Sequence, residues 1–365
     1  MTLTTFSSVI HLSTSRTADP ASAGIDRFVG LEHIEPENLH IRRWGLVADG
    51  TTFTSTFKRG QVLFGKRRAY QRKVAVADFD GVCSSDIYVF ESKDPNVLLP
   101  ELVPFICQSE GFYDYAVKTS AGSLSPRTNW SHLANYEFPL PPVDEQRRIA
   151  DLLWAADDVV VNYAESAEAT KKLLVRSCLD WTNKPEWKIF TMQECSENLD
   201  NFRVPLNQET RAGKQGDIPY YGANGIIDYI DDFIFDEEVV LLGEDGDHFY
   251  KWQDWKQSQL TTGKSWVNNH AHVFKAKTDI CSNRWLYRHF QHRNLTGLIQ
   301  DSASMTRRKL TKAMLLNIRV PIPTLEEQEE IVGKIDEIEK TYEQLLEHLE
   351  TCNKLKKEIL NKHLG

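Results

Sequence analysis

Apolar residues recur at alternating spacings of four and three along two widely separated stretches of the chain. The later stretch places Ile331, Ile335, Ile338, Tyr342, Leu345, Leu349, Cys352 and Ile359 on one side, with Lys356 in the slot between the last two. The earlier one runs Ile149, Leu153, Ala156, Val160, Tyr163, Ala167, Thr170 and Leu174 in the same rhythm. This spacing predicts two long helices, each with one apolar seam. Pro142 and Pro323 stand just before them, Asp144 or Thr324 can cap an N-terminus, and the Glu-rich first turn of the second helix meets its positive dipole end.

The 31 residues from Ile149 to Leu179 make a rod of about 46 Å. Such a rod cannot bury its stripe alone, and the economical partner is the other rod. The expected interface comprises Ile149, Leu153, Val160, Tyr163 and Leu174 on one helix and Ile331, Ile335, Ile338, Tyr342, Leu345, Leu349 and Ile359 on the other. The long connection allows either direction, although a spacer between two modules favours the antiparallel one. Packing of each helix on its own preceding domain is the competing arrangement.

The chain also repeats itself. Shifted by 182 residues, NYEFPLPPVDEQRRI falls on NIRVPIPTLEEQEEI, matching Asn135 with Asn317, Pro139 with Pro321, Pro141 with Pro323, Glu145 with Glu327, Gln146 with Gln328 and Ile149 with Ile331. A duplication of this period signals two similar modules. The division is a first module at 1–140, a helical spacer at 141–183, a second module at 184–322 and a second spacer at 323–365. QVLFGKRRAYQRKVAVADFDGVCSSDIYVF, IIDYIDDFIFDEEVVLLGEDG and HAHVFKAK read as short strands with turns, while LPELVPFICQSEGFYDYAVKT and SNRWLYRHFQHRNLTGLIQD read as helical. Each module is expected to be α+β.

Composition changes this picture little. With 41% apolar and 26% charged residues the chain is an ordinary globular protein. Its net charge of -9 excludes an all-over basic coat without excluding a local one. Six scattered cysteines write neither a disulfide framework nor a thiolate metal knuckle, which reads as reduced and cytoplasmic. No signal peptide and no long apolar run is present, so a membrane span is not expected.

The run from Thr51 to Ala77 carries Lys58, Arg59, Lys66, Arg67, Arg68, Arg72 and Lys73 without an acid, and interleaves Phe64 and Tyr70. Such a run suits a polyanion; a solvated basic loop is the plain alternative. In the second module Gly263-Lys264-Ser265 lacks the first glycine of a nucleotide loop, where Ser258 stands instead. Lys264, Ser265, Asn268, Asn269 and His270 can present donors and acceptors to a backbone or base edge, and Arg284, Arg288, Arg293 and the cluster Arg307, Arg308, Lys309 add positive charge. GEDGDH reads as a turn rather than a calcium loop, and His270 and His272 point to opposite faces of a strand. No catalytic, cofactor or metal constellation stands out.

Taken together, PLPPVDEQ and PIPTLEEQ, with GLEHIEPENL and TGKSWVNNHAHVF, make the chain resemble the DNA-specificity subunit of a Type I restriction-modification system over nearly its whole length. The second module opens on Pro185-Glu186-Trp187, a tryptophan opening common in that family; the first has none. The resemblance implies two similar target-recognition domains separated by two long helices forming an antiparallel coiled coil with pseudo-two-fold repeat. It further implies recognition of a bipartite double-stranded DNA sequence with unspecific bases between its halves, two methyltransferase subunits and restriction-translocase subunits as partners, and no catalysis by this chain. S-adenosylmethionine, ATP and Mg would be used by the complex, not by this chain.

The segment from Glu326 to Lys362, with eleven acidic and six basic residues, puts much of the negative charge on the helix least expected to touch DNA. A coiled-coil scaffold that binds only protein, or a standalone methyltransferase or nuclease, are the alternatives; the chain has no Asn/Asp-Pro-Pro-aromatic loop for the second.

Overall fold

The computed structural model describes residues 2–299 and 309–364; Arg307 and Arg308 lie outside them. The chain folds as two compact units, Met1–Asn162 with His348–Gly365, and Tyr163–Glu347. Among the described residues no helix is long and apolar enough to cross a membrane.

Within the first unit the four-stranded sheet Ile10–Leu12, Ile87–Ser92, Val62–Gly65, Val74–Val76 is buried on both faces. Alternation along the strands divides their side chains between two cores. Val62, Phe64 and Phe90 point to a large core with Phe6, Phe105 and Phe112. Leu63, Ala75 and Val89 point the other way, to a core shared with Val29, Ile34 and Cys83. The second sheet, Gly45–Leu46, Arg27–Val29, Gly81–Cys83, Ser55–Phe57, covers that face. Double burial explains why VLFG reads as a continuous apolar run rather than an alternating one.

The second unit repeats this topology strand for strand. Its sheets are Ser196–Asn198, Ala271–Ala276, Val239–Gly243, Ser258–Thr261 and Gly225–Ile230, Gln215–Gly222, Lys264–Val267, Phe235–Asp236. In each unit the middle pair of the second sheet is parallel, Phe28 beside Val82 and Tyr220 beside Trp266. Each also closes with a two-stranded ribbon at its ends, Thr2–Thr5 with Glu137–Leu140 and Lys188–Thr191 with Arg319–Ile322. The internal repeat is therefore a duplication of fold, and the modules are α+β.

The long helices run from Val143 to Trp181 and from Leu325 to Leu364. The first begins six residues before the expected seam, with Pro142 rather than Asp144 accepting its first backbone bonds. Thr324 caps the second reciprocally: its hydroxyl accepts the Glu327 N–H at 3.3 Å, and the Glu327 carboxylate accepts the Thr324 N–H at 3.1 Å.

In the first unit Ile149, Ala150 and Leu153 share the large core with Ile359, Leu360 and Leu364, and buried Asp157 accepts from the Lys356 ammonium. In the second unit Leu174 and Cys178 pack with Ile331, Ile335, Ile338 and Tyr342. Early residues of one helix thus meet late residues of the other, and the pair is antiparallel. Val160, Tyr163, Leu345 and Leu349 are half-buried on the seam. Each helix is shared between the two units rather than standing apart as a spacer, because its apolar positions complete a core at each end.

Candidate nucleic-acid interface

The basic run of the first module does not form one patch. Lys58 and Arg59 sit in an exposed turn before the strand Val62–Gly65, and Lys66, Arg67 and Arg68 follow it. A four-residue strand sets these two groups about 13 Å apart.

At the far end of that strand the chain makes one turn of helix, Ala69–Gln71, between Arg68 at φ 56° and Arg72 at φ 54°. Left-handed backbone at two non-glycine residues costs about 1–2 kcal/mol each, a concentration of strain that marks sites with a task. The turn leaves Tyr70 exposed. The Arg67 and Arg68 guanidiniums reach the Ser125 hydroxyl, and Arg67 and Arg127 share the Asp86 carboxylate at 3.4 and 2.8 Å. Burial alone would raise that carboxyl; the two arginines outweigh it and hold it below the usual range. Lys66 lies over the Tyr88 ring at 4.6 Å, its ammonium pKa lowered mainly by burial.

Arg72 and Lys73 do not belong to this cluster. Arg72 pairs with Glu37 and Glu110, and Glu110 also takes Lys357 from the second long helix. These groups line a separate cavity of about 580 Å³. Glu110 is held at about 2, first by the Arg72 hydrogen bond. Lys73 donates to the Leu31 carbonyl at 2.6 Å. Both are engaged within the module, Arg72 by carboxylates and Lys73 by a carbonyl.

The second module disperses its candidates further. Lys264 is exposed over the Phe233 ring at 4.6 Å. Asn269 is exposed, and His270 pairs with Asp245 at 2.9 Å at the opposite end of that strand. Ser265 and Asn268 are buried, and the Asn268 side-chain amide oxygen accepts the His270 N–H at 2.8 Å. Arg284 is drawn into an ion pair with Asp336 of the second long helix. Arg288 bonds Asp336 too, and Arg293 is packed against His289. Glu244 is taken by Arg203 and Lys309, so the GEDGDH turn spends its first carboxylate on ion pairs. His272 bonds Asp200 and the Leu310 carbonyl, apart from His270.

Charge counting passed over Arg127, exposed Leu124 beside it, and exposed Trp44, whose ring carries the Arg27 guanidinium at 4.6 Å. The signal for the first two is the turn-forming string SAGSLSPRT with one apolar residue in its middle.

The family described as Type I restriction modification DNA specificity domain matches residues 46–168 and 185–356. The chain belongs to this family. Among curated relatives, the S.HindORF215P protein of Haemophilus influenzae, bearing the name of a type I restriction enzyme specificity subunit, is 38% identical over 151 residues, 41% of this chain and 36% of that protein. The type I restriction enzyme EcoDI specificity subunit of Escherichia coli is 30% identical over 181 residues, 46% of this chain and 38% of the relative. The matches thus span little more than a third of those two proteins. The MjaVIII specificity subunit of Methanocaldococcus jannaschii is 24% identical across 96% of this chain and 84% of its own length.

Two solved structures share the fold of this specificity-domain protein. One is the S subunit of a Type-I restriction-modification system from M. genitalium, with a TM-score of 0.65 and 15% identity over 100% of this chain and 96% of that one. The other comes from a structural description of assembly and conformational transition in the type I R-M system, with a TM-score of 0.58 and 20% identity over 99% and 96%.

Proposed function

We propose that this chain is the non-catalytic subunit that selects the DNA site of a Type I restriction-modification complex. The observation carrying the proposal is the duplication of one α+β module, strand for strand, in a chain belonging to the DNA specificity family. Two related but differently decorated modules suit a bipartite target whose halves differ. The cluster of Lys66, Arg67, Arg68 and Arg127 supplies the first module with phosphate-binding charge.

The proposed partners are double-stranded DNA, two methyltransferase subunits and restriction-translocase subunits. The partner subunits would bring S-adenosylmethionine, ATP and Mg. Leu152 and Val159, seven residues apart on the first unit's part of the first long helix, are exposed apolar side chains that support docking of another protein there.

Sequencing the methylated bases of cells with and without this chain tests the proposal. The expected result is an adenine methylated within a gapped two-part motif only when the chain is present. A continuous motif, or methyl transfer or cleavage by the isolated chain, contradicts it.

A further inference from the structure

If the first module reads a half-site, one of its contacts is apolar. Leu124 is 90% exposed, more than any other large apolar side chain among the described residues. A lone exposed leucine is ordinary in itself, but this one stands at the tip of a loop that is tied down. Ala121 and Arg127 exchange both backbone hydrogen bonds at 3.0 and 2.9 Å. Gly122, at φ +112°, lets the chain reverse between them. Arg68 N–H donates to the Pro126 carbonyl at 2.7 Å, and Thr128 N–H to the Lys66 carbonyl at 2.9 Å. The neighbour of Leu124, Ser125, receives Arg67 Nε at 3.2 Å, Arg67 again through its terminal nitrogen at 3.0 Å, and Arg68 Nε at 3.2 Å.

Two arginines on one hydroxyl do more than hold the loop. They bring their positive charge to within a residue of the apolar tip, with Arg127 on the loop's other stem and exposed Tyr70 in the turn between Arg68 and Arg72. Cations at the base of a fixed tip draw in a polyanion, and an ordered tip loses little conformational freedom on contact. A polyanion with only charge to offer, such as a polyphosphate, has nothing for a leucine. Duplex DNA does: the thymine methyl in the major groove, and the base faces exposed when a step is partly unstacked.

We propose that Leu124 makes an apolar contact with a base of the half-site read by the first module, clamped there by phosphate pairing of Arg68 and by the net positive charge that Arg67 and Arg127 retain after sharing Asp86. This rests on the reading of the chain as a DNA-specificity subunit.

The test uses the full chain assembled with methyltransferase subunits and two duplexes, one carrying the motif found by methylation sequencing and one scrambled. Leu124→Ala is expected to weaken motif binding about tenfold, leave scrambled binding unchanged and keep the dependence of affinity on salt, because no charge is lost. Leu124→Met, which retains apolar volume, is expected to bind as wild type, so a loss in the alanine variant is not a loss of fold. Uracil in place of each half-site thymine, costing the wild type but not Leu124→Ala, identifies the methyl group as the contact. Insensitivity to uracil together with brightening of 2-aminopurine under wild type alone identifies an opened base step. A wild-type complex that discriminates the duplexes no better than Leu124→Ala overturns the contact while leaving the functional reading standing. A wild-type complex that cannot tell the duplexes apart defeats that reading, and the contact with it.

Discussion

The side-chain oxygen of Gln146 accepts the backbone N–H of Leu99 at 2.9 Å inside the first unit. Its nitrogen donates to the carbonyls of Val97 and Pro141 at 2.8 and 2.9 Å. Gln328 does the same in the second unit, accepting Ser282 N–H at 3.0 Å and donating to Ile280 and Pro323 at 3.2 and 3.1 Å. Both side chains are buried, so one glutamine per repeat latches the start of each long helix to the loop entering its module's helical layer. Replacing either by alanine leaves several buried backbone groups without partners and is expected to cost about 2 kcal/mol. Urea unfolding measures this, and a change within experimental scatter contradicts the latch.

A second buried polar contact joins the helices themselves. Asp157 accepts from Lys356 and from His40 Nε2, the latter at 2.6 Å. Burial by itself would raise the Asp157 carboxyl, but the His40 hydrogen bond and Lys356 charge hold it below its usual range. Lys356→Met leaves the buried Asp157 carboxylate with His40 but without its ammonium partner and is expected to destabilise by about 2 kcal/mol, whereas Asp157→Leu combined with Lys356→Met recovers most of that loss. Thermal unfolding of the two variants decides the point; a double variant worse than the single one contradicts it.

Acid should loosen the second unit through Glu339. Burial raises its carboxyl, and Arg288 and Lys256 outweigh burial and hold it at about 2. An unfolded glutamate titrates near about 4.3, so its contribution is complete above that pH and disappears as pH falls through about 2. The stability gap between wild type and Glu339→Gln is expected to narrow steadily from pH 5 to pH 2. A gap that stays constant over that interval removes the argument.

The cations of the two modules should sort by their partners. Arg68→Ala, which removes a guanidinium held by the Ser125 hydroxyl, is expected to lower the slope of log affinity against log salt by about 1, and Arg67→Ala and Arg127→Ala, which share Asp86, to lower it by less. Arg72→Ala and Arg284→Ala, whose guanidiniums are engaged by Glu110 and Asp336, are expected to leave the slope unchanged and cost about 1 kcal/mol of stability. Binding titrations at several salt concentrations, paired with unfolding curves, separate the groups. Equal slopes for all five variants contradict the sorting.

Legibility differed between fold and site for a physical reason. The helix seam, the strand runs and the PLPPVDEQ repeat are local patterns, and local pattern is what a linear reading detects. Leu360 and Leu364 lie off that seam because they turn into the first unit's core, which no spacing rule foretells. The basic run looked like one patch because a strand of four residues is short in sequence and long in space. Arg72 meets Glu110, 38 residues away, Ser265 is buried within its strand, and Asn268, just past that strand, is buried too. Pairing at such distances is a tertiary fact. Leu124 was overlooked for the opposite reason, since a single leucine among serines carries no pattern at all.

The division of the helices between the units has a consequence for biosynthesis. The first unit includes His348–Gly365, so Leu360 and Leu364, synthesised long after Phe6, complete the core that Phe6 begins. The opening module must wait, with part of its apolar surface uncovered, until translation has passed through the whole of Tyr163–Glu347, which can close first. A premature stop near residue 348 would therefore injure the amino-terminal module while sparing the later one, and the half-made chain is the species most in need of a chaperone.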